Sequence, residues 1–220
     1  MASEVVTMTG NPQVDSGDDQ YDEVRPWDEM YRSRDRIFSG NPNGVLVAET
    51  IDLPPGRALD VGCGEGADAL WLARRGWQVT AVDISGIALQ RAAAATDIKG
   101  RVAWTRANLT TTPPPTGVFD LVSIHYFPLV RRPGHAALRG LLGAVAPGGT
   151  LLFATHAVAD LALRQEENFD PADYYQPNDI AQVLDSTWTV LINETRPRAA
   201  QAPAGTHHTH DAVLRALRLS

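Results

Sequence analysis

The sequence predicts an α/β protein with a doubly wound sheet, mostly parallel, with one antiparallel strand at its C-terminal end. Three observations predict it. Apolar runs of strand length alternate with helical segments from residue 57 to residue 156, which is typical of parallel βαβ units. A glycine-rich loop, GCGEG, follows the first of these runs. Two β-rich stretches, 188–196 and 211–219, then follow without a clear helix between them, which indicates an antiparallel pair.

Composition and charge narrow the class of protein. The chain has 220 residues, of which 44% are hydrophobic and 20% charged, an ordinary globular balance for one domain. Its net charge of −7 gives no electrostatic case for a nucleic-acid partner. Cys63 is the single cysteine, so no intrachain disulfide is expected. We therefore expect no nucleic-acid partner; the chain is expected to act as a monomer or homodimer.

Residues 140–159 resemble a membrane span, but we interpret them as the end of a helix, a turn and a strand. Gly140 to Ala159 contains no charged residue, but Pro147-Gly148-Gly149 divides it into a helix end and a buried strand. The polar, acidic N-terminus lacks the pattern of a signal peptide. The sequence predicts a cytoplasmic protein that does not enter a membrane.

The N-terminal part is expected to be a tail and a helical cap on a single domain. Residues 1–22 are poor in apolar groups and are predicted to be disordered. Residues 23–220 form the domain, with a helical cap over 23–55 and the core over 56–220. Within the cap, PWDEMYRSRDRIF (26–38) has helical apolar spacing with Pro26 near its first turn, and a short helix follows at about 43–52.

The core elements follow from apolar runs, helical periodicity and turn residues. Gly76 ends one helix, and the prolines of TTTPPPTG exclude another. Strands are predicted at 57–62, 77–83, 101–107, 119–124, 149–156, 188–196 and 211–219, and helices at 67–76, about 85–95, 134–146 and from Asn178.

The loop after the first strand decides the kind of ligand. In LDVGCGEGADA (59–69), Gly62, Gly64 and Ala67 formally satisfy the dinucleotide rule. However, the glycines alternate as G-x-G-x-G, and Asp60 lies inside the strand, where a carboxylate disfavours a pyrophosphate and suits a ligand with a positive end. A P-loop is excluded because the lysine and its spacing are absent.

Asp60, the three glycines and Asp83 at the end of the next strand together resemble the class I S-adenosylmethionine-dependent methyltransferases. AVDIS, FDLVSIHY and APGGTLLF reinforce LDVGCGEG. The resemblance covers residues 24–219 and implies a Rossmann-like fold. The aromatic helix before the core is similar to the small-molecule branch that includes thiopurine and tellurite-resistance methyltransferases.

The resemblance implies S-adenosylmethionine as cofactor, S-adenosylhomocysteine as product, and no metal. Asp83 would accept the ribose hydroxyls, Asp60 would organise the amino end, and Asn108 stands where the family often has Asp for the adenine amino group. The expected cofactor contacts are Trp27, Tyr31, Asp60, Gly62, Cys63, Gly64, Gly66, Asp83, Ile84, Asn108 and Leu109.

Two histidines are candidate bases for the methyl acceptor. His125 follows the fourth strand and His156 ends the fifth, where a parallel sheet opens to its ligand. A base is needed only if the acceptor must lose a proton, and a structural role for either histidine stays open. The expected walls, the N-terminal helix, 157–177 (Phe169, Tyr174, Tyr175) and 197–210, suit a small, fairly apolar acceptor.

Two other functions stay open at this point: an NAD-dependent oxidoreductase, and a protein that binds the cofactor without catalysis. HHTHD, with His207, His208 and His210, has no evident acidic or cysteine partner to complete a metal site.

Overall fold

The computed structural model describes residues 18–98, 100–161, 170–199 and 208–219. Most of the expected tail, Phe169 and His207 lie outside these ranges. Seven strands form one sheet in the order β3-β2-β1-β4-β5-β7-β6. The strands are β1 (Arg57–Val61), β2 (Gln78–Asp83), β3 (Val102–Arg106), β4 (Phe119–His125), β5 (Val145–His156), β6 (Trp188–Pro197) and β7 (His210–Arg218).

The strand directions confirm the predicted fold class. Strands β1 to β5 pair in parallel, whereas β7 pairs antiparallel with both β5 and β6. Strand β6 therefore runs in the same direction as β1 to β5, and β7 is the antiparallel strand near the C-terminus. This strand order and these directions form a Rossmann-like α/β fold.

Helices cover both faces of the sheet. They are α1 (Asp18–Arg32), α2 (Gly44–Thr50), α3 (Ala67–Arg74), α4 (Gly86–Ala94), α5 (Ala136–Ala144), α6 (Val158–Leu161) and α7 (Pro177–Val183), with one 3₁₀ turn at Pro171–Asp173. None of the helices in the described ranges is long and apolar enough to cross a membrane.

The two faces bury separate hydrophobic clusters, as a doubly wound sheet requires. Leu59 packs in a cluster with Leu138 of α5 and Ile180 of α7. Its neighbour Ala58 packs in the other cluster, with Leu46 of α2 and Leu72 of α3. Successive residues of a strand point to opposite faces, so strand β1 is buried on both sides.

Two predicted boundaries were wrong. Helix α1 covers 18–32 rather than 26–38, so it includes five residues assigned to the tail and places Pro26 in its interior. A proline inside a helix removes one intrahelical bond, and here the helix continues through it. Strand β5 begins at Val145 rather than at 149, because the Pro-Gly-Gly turn is an irregularity in its pairing with β4.

Candidate cofactor and acceptor site

The carboxyl ends of β1, β2 and β4 meet at one crevice, and the glycine loop lies in it. Gly62, Gly64 and Gly66 have φ values of 67°, 53° and 83°, in the left-handed region that favours glycine. The backbone N–H of Cys63 donates to the carbonyl of Val82 at 3.0 Å, which fixes the loop to the end of β2. The alternation of glycines is therefore required by the turn itself.

Protein side chains already occupy the space beside each glycine. A Cβ atom at Gly62 would lie 2.6 Å from Phe127, and one at Gly66 would lie 2.5 Å from Trp104. At Gly64 the nearest atom would be the Tyr31 hydroxyl, at 2.9 Å. The missing Cβ atoms thus allow side chains to pack against the loop, a reason that sequence reasoning did not supply.

Asp83 lies at the end of β2, as predicted, and organises the loop. Its two carboxylate oxygens accept the backbone N–H groups of Gly64 and Ser85, each at 2.8 Å. Burial raises the pKa of Asp83, and these N–H groups partly offset the rise. The carboxylate is therefore held in place at the crevice, and its contact with a ribose stays a prediction.

Asp60 is a buried carboxyl group with an unpartnered oxygen. It is 3% exposed, and among the described residues its Oδ2 has no hydrogen-bond partner. Burial, followed by the charges of Asp68 and Asp83, raises the pKa of Asp60 well above its usual value. A buried acceptor of this kind fits a cationic group, because a cation would supply the missing donors and neutralise the carboxylate.

The Cys63 thiol lies close to the carboxylates of Asp60 and Asp83. Burial and the charges of Asp60 and Asp83 raise the pKa of the Cys63 thiol, which therefore stays protonated and is a poor nucleophile.

Of the residues expected to contact the adenine, Ile84 is half-buried beside Asp83. Leu109 packs in the core cluster, and the amide oxygen of Asn108 accepts the N–H and hydroxyl of Thr110 at 3.0 and 2.6 Å.

Helix α1 packs along the crevice, and its two aromatic candidates differ. Tyr31 is 3% exposed and makes an edge contact with Phe38 at 6.3 Å between ring centroids. Trp27 is 38% exposed. The hydroxyl of Ser85 donates to Asp28 at 2.6 Å, so the helix is also attached beside Asp83.

An ion pair between the glycine loop and α4 holds the segment that follows α1. Glu65 accepts the backbone N–H groups of Ile37 and Phe38 and forms a 2.9 Å ion pair with Arg91. Arg91 also donates to the carbonyls of Tyr31 and Arg34 at 2.5 and 2.7 Å. Sequence reasoning missed both residues, because no motif or periodicity connects Arg91 with the loop.

The structure places His125 in a buried polar pair. Its Nδ1 lies 3.0 Å from Oδ2 of Asp68 and 3.2 Å from the hydroxyl of Ser123. The His125 side chain is 2% exposed. Its Nε2 is buried without a hydrogen-bond partner in the described part of the chain. Asp68 was not among the predicted site residues, although its place in the first turn after the loop was visible in the sequence.

His156 belongs to a stack of planar side chains. It stacks on Tyr126 at 4.5 Å and on His208 at 3.7 Å between ring centroids. Arg198 lies 3.3 Å from His156 Nδ1. Because a guanidinium only donates, Nδ1 must be the acceptor, and the neutral ring then carries its proton on Nε2. Nδ1 of His156 is therefore already occupied by Arg198.

The aromatic residues expected to line the acceptor site are not all exposed. Tyr175 is 3% exposed, packs in the core cluster and hydrogen-bonds His135 through its hydroxyl. Tyr174 forms an isolated bridge with Val130.

Among the residues that the structure describes, no three His, Cys, Asp or Glu side chains are grouped as a metal site would require.

Comparison with known proteins agrees with this fold. Residues 58–149 match a family model described as a methyltransferase domain. An uncharacterized methyltransferase of Mycobacterium tuberculosis is 39% identical over 121 residues, which are 53% of this chain. A protein of Mycobacterium bovis with the same description matches equally. The chain spans 59% of the length of these curated relatives.

Solved structures extend the similarity over most of the chain. A structure reported for conversion of a disulfide bond into a thioacetal group during echinomycin biosynthesis has a TM-score of 0.71 at 23% identity, covering 90% of this chain and 92% of that one. The N-methyltransferase NodS of Bradyrhizobium japonicum, in complex with S-adenosyl-L-homocysteine, has a TM-score of 0.68 at 17% identity, covering 89% and 98%. The chain therefore shares the fold of these structures, and its residues 58–149 resemble a methyltransferase domain.

Proposed function

We propose that this chain transfers a methyl group from S-adenosylmethionine to an oxygen, sulfur or nitrogen atom of a small, fairly apolar molecule. One observation carries the proposal: a buried oxygen of Asp60, which has no hydrogen-bond partner among the described residues, lies two positions before a glycine loop whose Gly64 N–H donates to Asp83. The cofactor has a cationic amino group and a ribose, which fit these two carboxylates. S-adenosylmethionine supplies the electrophilic methyl group, and S-adenosylhomocysteine is the product.

The residues around the crevice divide the binding task. Asp60 receives the amino end of the ligand and Asp83 receives the ribose hydroxyls, while Tyr31 covers the loop from α1. Trp27 adds an apolar surface near the methionine moiety. The backbone of the loop, Ile84, Asn108 and Leu109 complete the binding surface toward the adenine. Each hydrogen bond to a carboxylate is worth about 1.5–3 kcal/mol.

The main contribution of the protein to the reaction is alignment. Transfer of a methyl group from a sulfonium is an in-line displacement, and holding the two reactants in line is worth up to about 7–11 kcal/mol in model systems. The fixed loop and the packed helix α1 provide rigid walls for that purpose. The acceptor would be bound at the carboxyl ends of β4 and β5, in the cytoplasm, by a monomer or homodimer resembling the thiopurine and tellurite-resistance branch.

Calorimetry with S-adenosylhomocysteine and, separately, with NAD tests the proposal. We expect saturable binding of S-adenosylhomocysteine and none of NAD. The reverse result would support the oxidoreductase alternative. Binding of S-adenosylhomocysteine without methyl transfer to any of a phenol, a thiol and an amine would favour a protein that binds the cofactor without catalysis.

A further inference from the structure

We propose that Asp68 and His125 act together on the methyl acceptor, with His125 Nε2 as the general base and Asp68 as the residue that positions it. This inference rests on the proposed function and narrows it. The acceptor would be a hydroxyl compound, such as a phenol, that loses its proton as the methyl group arrives.

The surroundings of Asp68 fix the orientation of the pair. Asp68 lies in the first turn of α3 and accepts the backbone N–H and the side-chain amide of Asn43 at 2.7 and 2.8 Å. Burial raises the pKa of Asp68, but the hydrogen bonds from His125 and Asn43 outweigh burial and leave it lowered. An ionised carboxylate only accepts, so the His125 proton must be on Nδ1.

This tautomer leaves the lone pair of Nε2 available. The atom is buried, and in the described ranges nothing hydrogen-bonds to it. A buried polar atom without a partner is costly, and such atoms in native structures call for an explanation. A hydroxyl group of the acceptor would supply the missing donor.

The other ionisable groups near His125 come from three elements. They are Asp68 on α3, Asp60 on β1, whose neighbour in the sheet is Ser123, and Tyr126, the next residue along the chain. Asp68 is the carboxylate in direct contact with the ring, so it would lie against the imidazolium formed in the reaction.

The proposed step is balanced. A bond forms between the acceptor oxygen and the methyl carbon, and the carbon–sulfur bond breaks with its electron pair on sulfur. The acceptor proton passes to Nε2, which makes an imidazolium beside the Asp68 carboxylate. The imidazolium later releases the proton to solvent, and no oxidant or reductant is required.

Nitrogen NMR on the ligand-free protein tests the positioning role without reference to activity. We expect the His125 ring in the wild type to carry its proton on Nδ1 when neutral. In Asp68→Asn, the amide can donate to Nδ1, so we expect the proton to move to Nε2. Asn43→Ala removes the side-chain bond to Asp68 but keeps the backbone bond and the bond to His125, and should retain the wild-type tautomer. A neutral wild-type ring with its proton on Nε2 would overturn the proposal.

Two model acceptors test the base. Phenol keeps its proton in mildly alkaline solution, whereas thiophenol is already largely a thiolate there. His125→Gln and Asp68→Asn should lower turnover with phenol about 10²–10⁴-fold and change its pH profile, while transfer to thiophenol stays within a few-fold of wild type. Asp120→Asn, at the opposite end of β4, is the matched control and should leave both rates unchanged.

The possible outcomes are distinguishable. Equal turnover with phenol in the wild type and in folded His125→Gln would overturn the base role and leave the proposed function intact. Equal losses with both acceptors would also overturn it, because they would indicate a structural effect. Failure of the wild type to bind S-adenosylhomocysteine, or to methylate any acceptor, would overturn the proposed function and the base role together.

Discussion

Arg91 and Glu65 form a 2.9 Å ion pair between helix α4 and the glycine loop, and both residues also bind the backbone of the segment that follows α1. Their side chains are 26% and 11% exposed, so solvent screens the pair less than it screens a surface pair. The pair therefore attaches residues 33–38 to the loop that we propose binds the cofactor.

Arg91→Met should loosen this segment. The variant loses the ion pair and two bonds to carbonyls, and hydrogen bonds to charged groups contribute about 1.5–3 kcal/mol each. Tryptic cleavage after Arg34 and Arg36 should therefore be at least about tenfold faster than in wild type. Arg74→Met is the control, because its ion pair with Asp97 is on the surface, with side chains 51% and 63% exposed. Equal cleavage of the two variants would contradict the role of Arg91 in holding this segment.

Asp83→Asn should weaken binding of S-adenosylhomocysteine by about 1.5–3 kcal/mol, or roughly 10- to 150-fold, because one charged acceptor for the ribose is lost. Asparagine keeps one oxygen, so the loop contact to Gly64 is partly preserved. Calorimetry measures the change, with Asp120→Asn as a control at the far end of the sheet. An unchanged affinity in the folded variant would contradict the ribose assignment.

The affinity for S-adenosylhomocysteine should fall as the pH is lowered through the raised pKa of Asp60. Burial and the neighbouring carboxylates favour the protonated form in the free protein. A cationic amino group favours the carboxylate, so binding should release protons. Calorimetry in two buffers of different ionisation enthalpy measures that release. Asp60→Asn should bind more weakly and without the proton release; retention of the release in this variant would assign it to another group.

Gly66→Ala should destabilise the fold more than Gly117→Ala does. Both glycines have positive φ, 83° and 68°, so each substitution strains the backbone by about 1–2 kcal/mol. A Cβ atom at Gly66 would also lie 2.5 Å from Trp104 and 2.9 Å from Ala92. A Cβ atom at Gly117 would have no described atom within 4 Å, apart from those of its chain neighbours. Overpacking adds about 1–3 kcal/mol at Gly66. Urea denaturation compares the free energies of unfolding, and equal values would contradict the packing role.

The sheet could be predicted from the sequence because its signals are local. Alternating strand and helix patterns are readable in short windows, and they place Asp60 inside the first strand and Asp83 and His125 at strand ends. The side-chain partners could not be predicted in the same way. His125 and Asp68 are 57 residues apart, and Arg91 and Glu65 are 26 apart. Such pairs depend on how helices pack on the sheet, which no periodicity encodes.

The boundaries of α1 could not be predicted either, because residues far away in the sequence contact the segment after it. The apolar spacing of 26–38 is compatible with a helix, but Glu65 captures the backbone N–H groups of Ile37 and Phe38. Backbone donors that are satisfied by a distant carboxylate do not need helical partners. A tertiary contact thus satisfies these two N–H groups outside the helix.

The insertion of β7 between β5 and β6 has a consequence for the order of assembly. Residues paired between β5 and β7 are 55 to 67 positions apart, so the edge of β5 has no partner until the chain has passed through β6 and returned. Contacts of such long separation require large loops to close first, which slows folding. The edge of β5 can therefore be covered only after β6 and β7 have been synthesised, and we expect its pairing with β7 to form late.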